Sequence, residues 1–175
     1  MTEKQEKILN AALELFSEEG FKATSTSKVA KRAGVSEGLI FRHFKNKDGL
    51  LEAIIKLGEE RAKTLFADIV LESDPKAVLR KTFDLYEIGH KNQEEADFWK
   101  LQHKIKWELE EYGAYKLEPL ENALTIAFEK LGYEAPRKEA NLILLIMDGI
   151  GTRSFLHKEF DIESMLKYLK EKYQV

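Results

Sequence analysis

The chain has no cysteine among its 175 residues, which excludes a disulfide framework and any thiolate metal site. It has four histidines, His43, His90, His103 and His157, and no two stand at metal-ligand spacing. There is no glycine-rich phosphate loop and no nucleophile elbow, so nothing asks for a cofactor, a metal or a catalytic centre, and no enzyme is expected. Three prolines and ten glycines leave little to interrupt helices. The longest apolar run, Leu142 to Met147, is far too short to span a bilayer, so no membrane role is expected. The N-terminus, MTEKQEKILN, is charged and leads straight into an amphipathic pattern, unlike a secretory signal. A folded protein of the cytoplasm is expected, with 43% hydrophobic and 34% charged residues.

What the chain does have is concentrated in TSTSKVAKRAGVSEGLIFRHFKNK, residues 24 to 47. The hydroxyls of Thr24, Ser25 and Thr26 precede a short helical pattern with Val29, Ala30 and Ala33 on one face, and hydroxyls are good N-caps. Gly34 can take the left-handed conformation that ends a helix. Val35 can plug the corner, and Ser36 is placed to cap a second helix. In that helix Ile40 and Phe44, four apart, should face the core. Glu37, Gly38, Leu39, Phe41, Arg42 and His43 are left for the outer face. Asn46 can cap a further helix starting at Lys47. Two short helices around a glycine turn form the helix-turn-helix arrangement, whose second helix enters a DNA major groove.

Charge agrees. Residues 20 to 47 hold Lys22, Lys28, Lys31, Arg32, Arg42, Lys45 and Lys47 against Glu37 alone, although the whole chain has a formal charge of −3. A basic patch on an acidic protein is an electrostatic footprint for phosphate. A basic face solvated by water is the alternative for a charge run on its own.

Residues 20 to 50, GFKATSTSKVAKRAGVSEGLIFRHFKNKDGL, resemble the N-terminal domain of the TetR family of bacterial transcriptional regulators, and ILNAALELFSEEG before them resembles that family's first helix. The resemblance covers about the first 55 residues and implies an operator-binding homodimer controlled by a small molecule, with repression the family default. It implies that Thr24, Thr26, His43 and Lys47 touch phosphate, with Ser25 beside them. Ser36 is implied to contact phosphate or a base edge, and Gly38 to allow close approach of the backbone to DNA. Phe41 stands where the family usually has tyrosine, so a phenol-to-phosphate hydrogen bond is lost, although the ring can still pack on a thymine methyl or a sugar. Glu37 can accept from cytosine N4, or can simply favour the helix N-terminus electrostatically. Leu39 can touch a thymine methyl. Arg42 is a candidate for guanine or phosphate, with a plain surface arginine as the alternative.

The expected architecture is therefore all-α, with about nine helices. A three-helix DNA-binding domain, residues 1–48, precedes a helical ligand-binding and dimerisation domain, residues 49–175. Helices are expected at Lys47 to about Leu71, after Asp74-Pro75, at Glu95 to Tyr112, from Tyr115 or Leu117 to Leu131, at Arg137 to His157, and from Asp161 to Lys172. The 95–112 segment has two apolar faces, one with Phe98 and the other with Trp99, His103 and Trp107. With Phe83, Tyr86, Phe128, Met147 and Asp148 they are candidates for a pocket taking a hydrophobic or aromatic effector; plain core packing is the competing reading. Asp148 lies inside an apolar helix and needs a partner, for which Arg153 is a candidate. The helices at 137–157 and 161–173 are the expected homodimer seam, with Gly149 and Gly151 allowing close helix contact. The competing overall reading is a helical ligand-binding or protein-partner-controlled protein with weak or lost operator recognition.

Overall fold

The computed structural model describes residues 1–89, 96–101, 104 and 117–175. Among these residues every regular element is a helix and no strand occurs. The elements are α1 (Glu3–Glu19), α2 (Thr26–Ala33), α3 (Glu37–Phe44), α4 (Lys47–Val70) and α5 (Pro75–Gly89). A helical stretch at 96–101, here α6, follows, and then α7 (Glu118–Lys130), α8 (Pro136–Leu156) and α9 (Ile162–Tyr173). The all-α expectation holds, and the helix bounds shift by a residue or two at most where they are described. Residues 95, 102, 103 and 105–112 of the 95–112 segment lie outside the described residues.

Two compact units organise the chain. The first contains Met1–Arg61 with the described residues of the 96–104 segment, and the second contains 62–89 and 117–175. By contact, the first unit runs past residue 48 and takes in α6. Its core is built from Ile8, Ala12, Leu15 and Phe16 of α1, Val29 and Ala30 of α2, Ile40 and Phe44 of α3, Leu50, Leu51 and Ile54 of α4, and Phe98 and Leu101 of α6. Phe16 is wholly buried and meets Phe21 edge-on at 5.3 Å. Burying one such side chain stabilises by about 1.5–3 kcal/mol, so this cluster holds three short helices that could not persist alone. Lys104 donates to the carbonyls of Ser17 and Glu18 at the end of α1, satisfying acceptors that a helix C-terminus leaves open.

The second unit is centred on Phe83, Leu124, Phe128, Ile143 and Leu169. Tyr173 joins this cluster, with its ring 5.9 Å from Phe83 and 5.8 Å from Phe128. Helix α5 starts as its sequence predicts, with Pro75 in the first turn and the Asp74 carboxylate accepting from Ala77 N at 3.1 Å. Asp161 likewise caps α9 by accepting from Ser164 N at 2.9 Å.

Candidate nucleic-acid interface

The helix-turn-helix is assembled by local chemistry. Ser25, in extended conformation, accepts from Lys28 N at 3.2 Å and caps α2. Gly34, at φ 67°, ends that helix in the left-handed region, and Val35 N returns to Ala30 O at 3.0 Å. Val35 then packs against the first core. Ile40 and Phe44 are buried on the inner face of α3, as their spacing predicts. Lys45, at φ 67°, turns the chain out of α3, and Asn46 caps α4 by accepting from Gly49 N at 2.8 Å. The joint between α3 and α4 is tight: a Cβ at Gly49 would collide with the Phe44 carbonyl oxygen.

The side chains expected at DNA fall into two groups. Gly38, Phe41, Arg42 and Ser36 are exposed, and Phe41 is 47% exposed although aromatic. Ser36 occupies the N-cap position of α3, but its hydroxyl makes no cap hydrogen bond, so its expected capping role is corrected to a positional one. His43 is half-buried beside the Phe44 ring. Ser25 is exposed, with its hydroxyl engaged in the cap.

The second group is turned into the protein. Thr24 is 1% exposed, and its hydroxyl donates to Gly20 O at 2.9 Å, so it joins the turn after α1 and not the surface. Thr26 donates to the Glu37 carboxylate at 2.6 Å, linking the first residues of α2 and α3. Leu39 is half-buried and packs against the first core. The Lys47 ammonium donates to the carbonyls of Phe21, Thr24 and Lys22 at 2.9, 3.1 and 3.3 Å, and sits 4.5 Å from the Phe21 ring centroid. An ammonium has three protons, and all three are directed at this loop.

Charge is also redistributed by the fold. Lys28 pairs with Glu19 at 2.5 Å, and Arg32 pairs with Glu14 at 2.9 Å and approaches Glu18 at 3.9 Å. Such exposed pairs stabilise by about 1 kcal/mol or less, but they cancel positive potential where they stand. Lys22, Lys31, Arg42 and Lys45 are exposed and make no ion pair among the described residues. Sequence reasoning missed the carboxylates of α1 as partners, although Glu14, Glu18 and Glu19 recur on the stretch of α1 leading into the turn. It also missed the clamp made by Lys47 and the steric demand at Gly49.

The pocket candidates are divided between the units. Phe98 and Trp99 belong to the core of the first unit, where their rings meet edge-on at 5.4 Å. Phe83, Phe128 and Met147 are buried in the second, with Tyr86 packed against them. Tyr86 donates to the Met147 carbonyl. Burial, with a smaller contribution from the Asp148 charge, pushes its hydroxyl well above the ordinary phenol range. Asp148 is half-buried, and Arg153 lies over the Phe160 ring, 5.9 Å from its centroid. His103 and Trp107 lie outside the described residues. No group of metal-ligating side chains and no helix long and apolar enough to cross a membrane occurs among the described residues.

Residues 8–54, which hold most of α1, all of α2 and α3 and the first part of α4, match the family model of the bacterial regulatory proteins of the tetR family. The chain is 47% identical over 55 residues to the HTH-type transcriptional regulator YvkB of Bacillus subtilis, covering 31% of this chain and 29% of that protein. It is 42% identical over 62 residues to the HTH-type transcriptional regulator UidR of Escherichia coli, covering 35% and 32%. The match thus spans about a third of the length of these curated relatives. The whole fold resembles a putative transcriptional regulator from Saccharomonospora viridis solved in complex with choline, with a TM-score of 0.80 at 17% identity over 98% of this chain and 95% of that one. It also resembles a putative TetR-family transcriptional regulator from Rhodococcus sp., with a TM-score of 0.73 at 22% identity over 99% and 98%. Residues 8–54 thus carry the DNA-binding helix-turn-helix of the bacterial regulatory proteins of the tetR family, and the all-α fold that follows resembles that of solved regulators.

Proposed function

We propose that the protein is a sequence-specific transcriptional regulator, acting as a repressor, that binds a near-palindromic operator in the cytoplasm as a homodimer and leaves it when a small molecule binds the second unit. The observation that carries this reading is the outer face of α3. Gly38, Phe41 and Arg42 are exposed there while Ile40 and Phe44 anchor the opposite side, and Lys22, Lys31 and Lys45 stand exposed without an ion pair among the described residues. A helix with a bare backbone patch, an aromatic ring and a guanidinium suits a major groove, and exposed lysines in the same unit suit its phosphates. Arg42 would read guanine or hold phosphate, and Phe41 would pack on a thymine methyl or a sugar.

Dimer formation is supported by an unpartnered apolar stripe on α8. Leu142, Leu145, Gly149, Thr152 and Leu156 share one exposed face, and Leu145 and Leu156 are 66% and 81% exposed. A Cβ at Gly149 would meet nothing within 4 Å, so a second helix can approach closely. Tyr168 on α9 is 58% exposed. Two such chains would set two recognition helices about 34–36 Å apart, in successive major grooves. Effector control is supported by the half-buried Tyr86 and Asp148 among apolar neighbours, the mixture a small-molecule site needs. Choline is bound by one structural relative, and others are described as regulators of fatty acid degradation or metabolism; the effector of this chain is proposed only as a largely apolar small molecule.

The test is selection of bound sequences from a random DNA pool, followed by salt titration on the winners. A palindromic consensus with a steep fall of log K against log salt is the expected result. Uniform weak binding without a consensus would refute the operator reading.

A further inference from the structure

Thr26 and Glu37 are the first residues of α2 and α3, and their hydrogen bond, 2.6 Å from Thr26 Oγ1 to Glu37 Oε1, brings those two helix starts together. Both ends carry unsatisfied N–H groups and partial positive charge, and Ser36 leaves the start of α3 without a side-chain cap. A half-buried carboxylate therefore already occupies the neighbourhood that would otherwise draw a DNA phosphate.

We propose that the Glu37 carboxylate is an internal competitor for backbone phosphate, held by Thr26 in the free protein and released only onto a base amino group. This rests on the operator-binding reading above and adds how the site rejects wrong sequences. Thr26 has one hydroxyl proton and gives it either to Glu37 or to a phosphate. An ionised carboxylate can only accept, and in the major groove only cytosine N4 and adenine N6 offer protons to it. Every base pair carries one such amino group, so what Glu37 can distinguish is whether the base edge directly opposite it is adenine or cytosine, or is guanine or thymine, which present acceptors there. Where an amino group lies opposite Glu37, the carboxylate swings to it and Thr26 turns to phosphate. Where none does, the carboxylate stays on Thr26 and repels the backbone. Selectivity then comes from a penalty on wrong DNA more than from attraction to the right one.

The experiment compares wild type, Glu37→Gln, Thr26→Val and the double variant, which close a double-mutant cycle. Binding is measured by fluorescence anisotropy, at one salt concentration, on the duplex that wild type selects and on a scrambled duplex of equal length. Glutamine keeps an acceptor for Thr26, and an unchanged melting temperature verifies that the fold is intact. Glu37→Gln should tighten binding to the scrambled duplex about tenfold, because one negative charge leaves the phosphate track, and should change operator binding far less. The gain should shrink when Thr26 is valine. Scrambled-duplex affinity that stays level or falls overturns the proposal. If the ratio drops only because operator binding weakens, Glu37 is an ordinary base contact and the proposal fails. A wild type that does not distinguish the two duplexes sinks the operator reading itself; a selective wild type with a failed Glu37→Gln result sinks only the competitor.

Discussion

Gly38 is the second residue of α3, is exposed, and is not held at positive φ. A Cβ built on it meets nothing within 4 Å. Nothing inside the free protein therefore requires glycine there, and Gly38→Ala should help the fold. Restricting the unfolded chain at a compatible site stabilises by about 0.4–1 kcal/mol, and helix propensity acts in the same direction. The position is at the end of a helix, so the lower part of that range applies. For a chain of this size the melting temperature should rise by about 1–3 °C. DNA binding should move the other way. If the operator backbone or a base edge lies against the bare backbone of Gly38, a methyl group pushes it out of hydrogen-bond range. Charge-assisted hydrogen bonds contribute about 1.5–3 kcal/mol, so loss of one weakens operator binding about tenfold to a hundredfold. Melting followed by circular dichroism and operator binding by anisotropy, on one preparation, read both effects. A variant that melts higher and binds the operator as wild type does would remove Gly38 from the close-approach surface.

Gly49→Ala is the contrasting variant. Its Cβ would collide with a backbone carbonyl oxygen, that of Phe44, which cannot rotate away as a side chain can. The α3–α4 joint must shift, at a cost of about 1–3 kcal/mol typical of overpacking. Both stability and DNA binding should fall, and DNA binding should recover at lower temperature if the loss reflects unfolding alone. Gly38→Ala would show no such recovery.

Lys47→Met should lower the melting temperature by removing three charge-assisted hydrogen bonds to residues 21, 22 and 24, while the slope of log K against log salt stays unchanged; a slope flatter by about one would return Lys47 to the phosphate contacts. Leu145→Asp places a charge on the exposed stripe of α8 without touching the core, so sedimentation equilibrium should show monomer at concentrations where wild type is dimeric, and a persistent dimer would move the seam elsewhere. Glu72 accepts from Lys81, Asp74 N and Ser73 N, and these hold its carboxyl down to about 2. A depressed folded-state pKa gives stability that is present above the unfolded value of about 4.3 and is lost as pH falls toward 2. Thermal melts should therefore decline more steeply between about pH 4.5 and 2 in wild type than in Glu72→Gln, and parallel curves would refute that assignment.

The helix-turn-helix was legible because its signals are local. The Ser25 cap, the left-handed Gly34 and the Ile40–Phe44 spacing each act within one turn of helix, where sequence distance and spatial distance agree. The roles of single polar side chains were less legible, because their partners lie far along the chain. Lys47 meets a loop 23 to 26 residues earlier, and Arg32 meets a glutamate 18 residues earlier. Counting charges along residues 20 to 47 therefore overstates the patch, since α1 returns carboxylates to Lys28 and Arg32. Thr24 follows the same logic: a hydroxyl ahead of a helix reads as a cap or a phosphate donor, and the turn after Gly20 draws it inward. What is left exposed and without an ion pair among the described residues is smaller than the motif suggests, namely Lys22, Lys31, Arg42 and Lys45. An interface with few unpaired cations has less sequence-independent attraction to DNA. On the operator-binding reading proposed above, such a protein would rely more on what α3 meets in the groove, which is where a carboxylate at Glu37 would have the most influence.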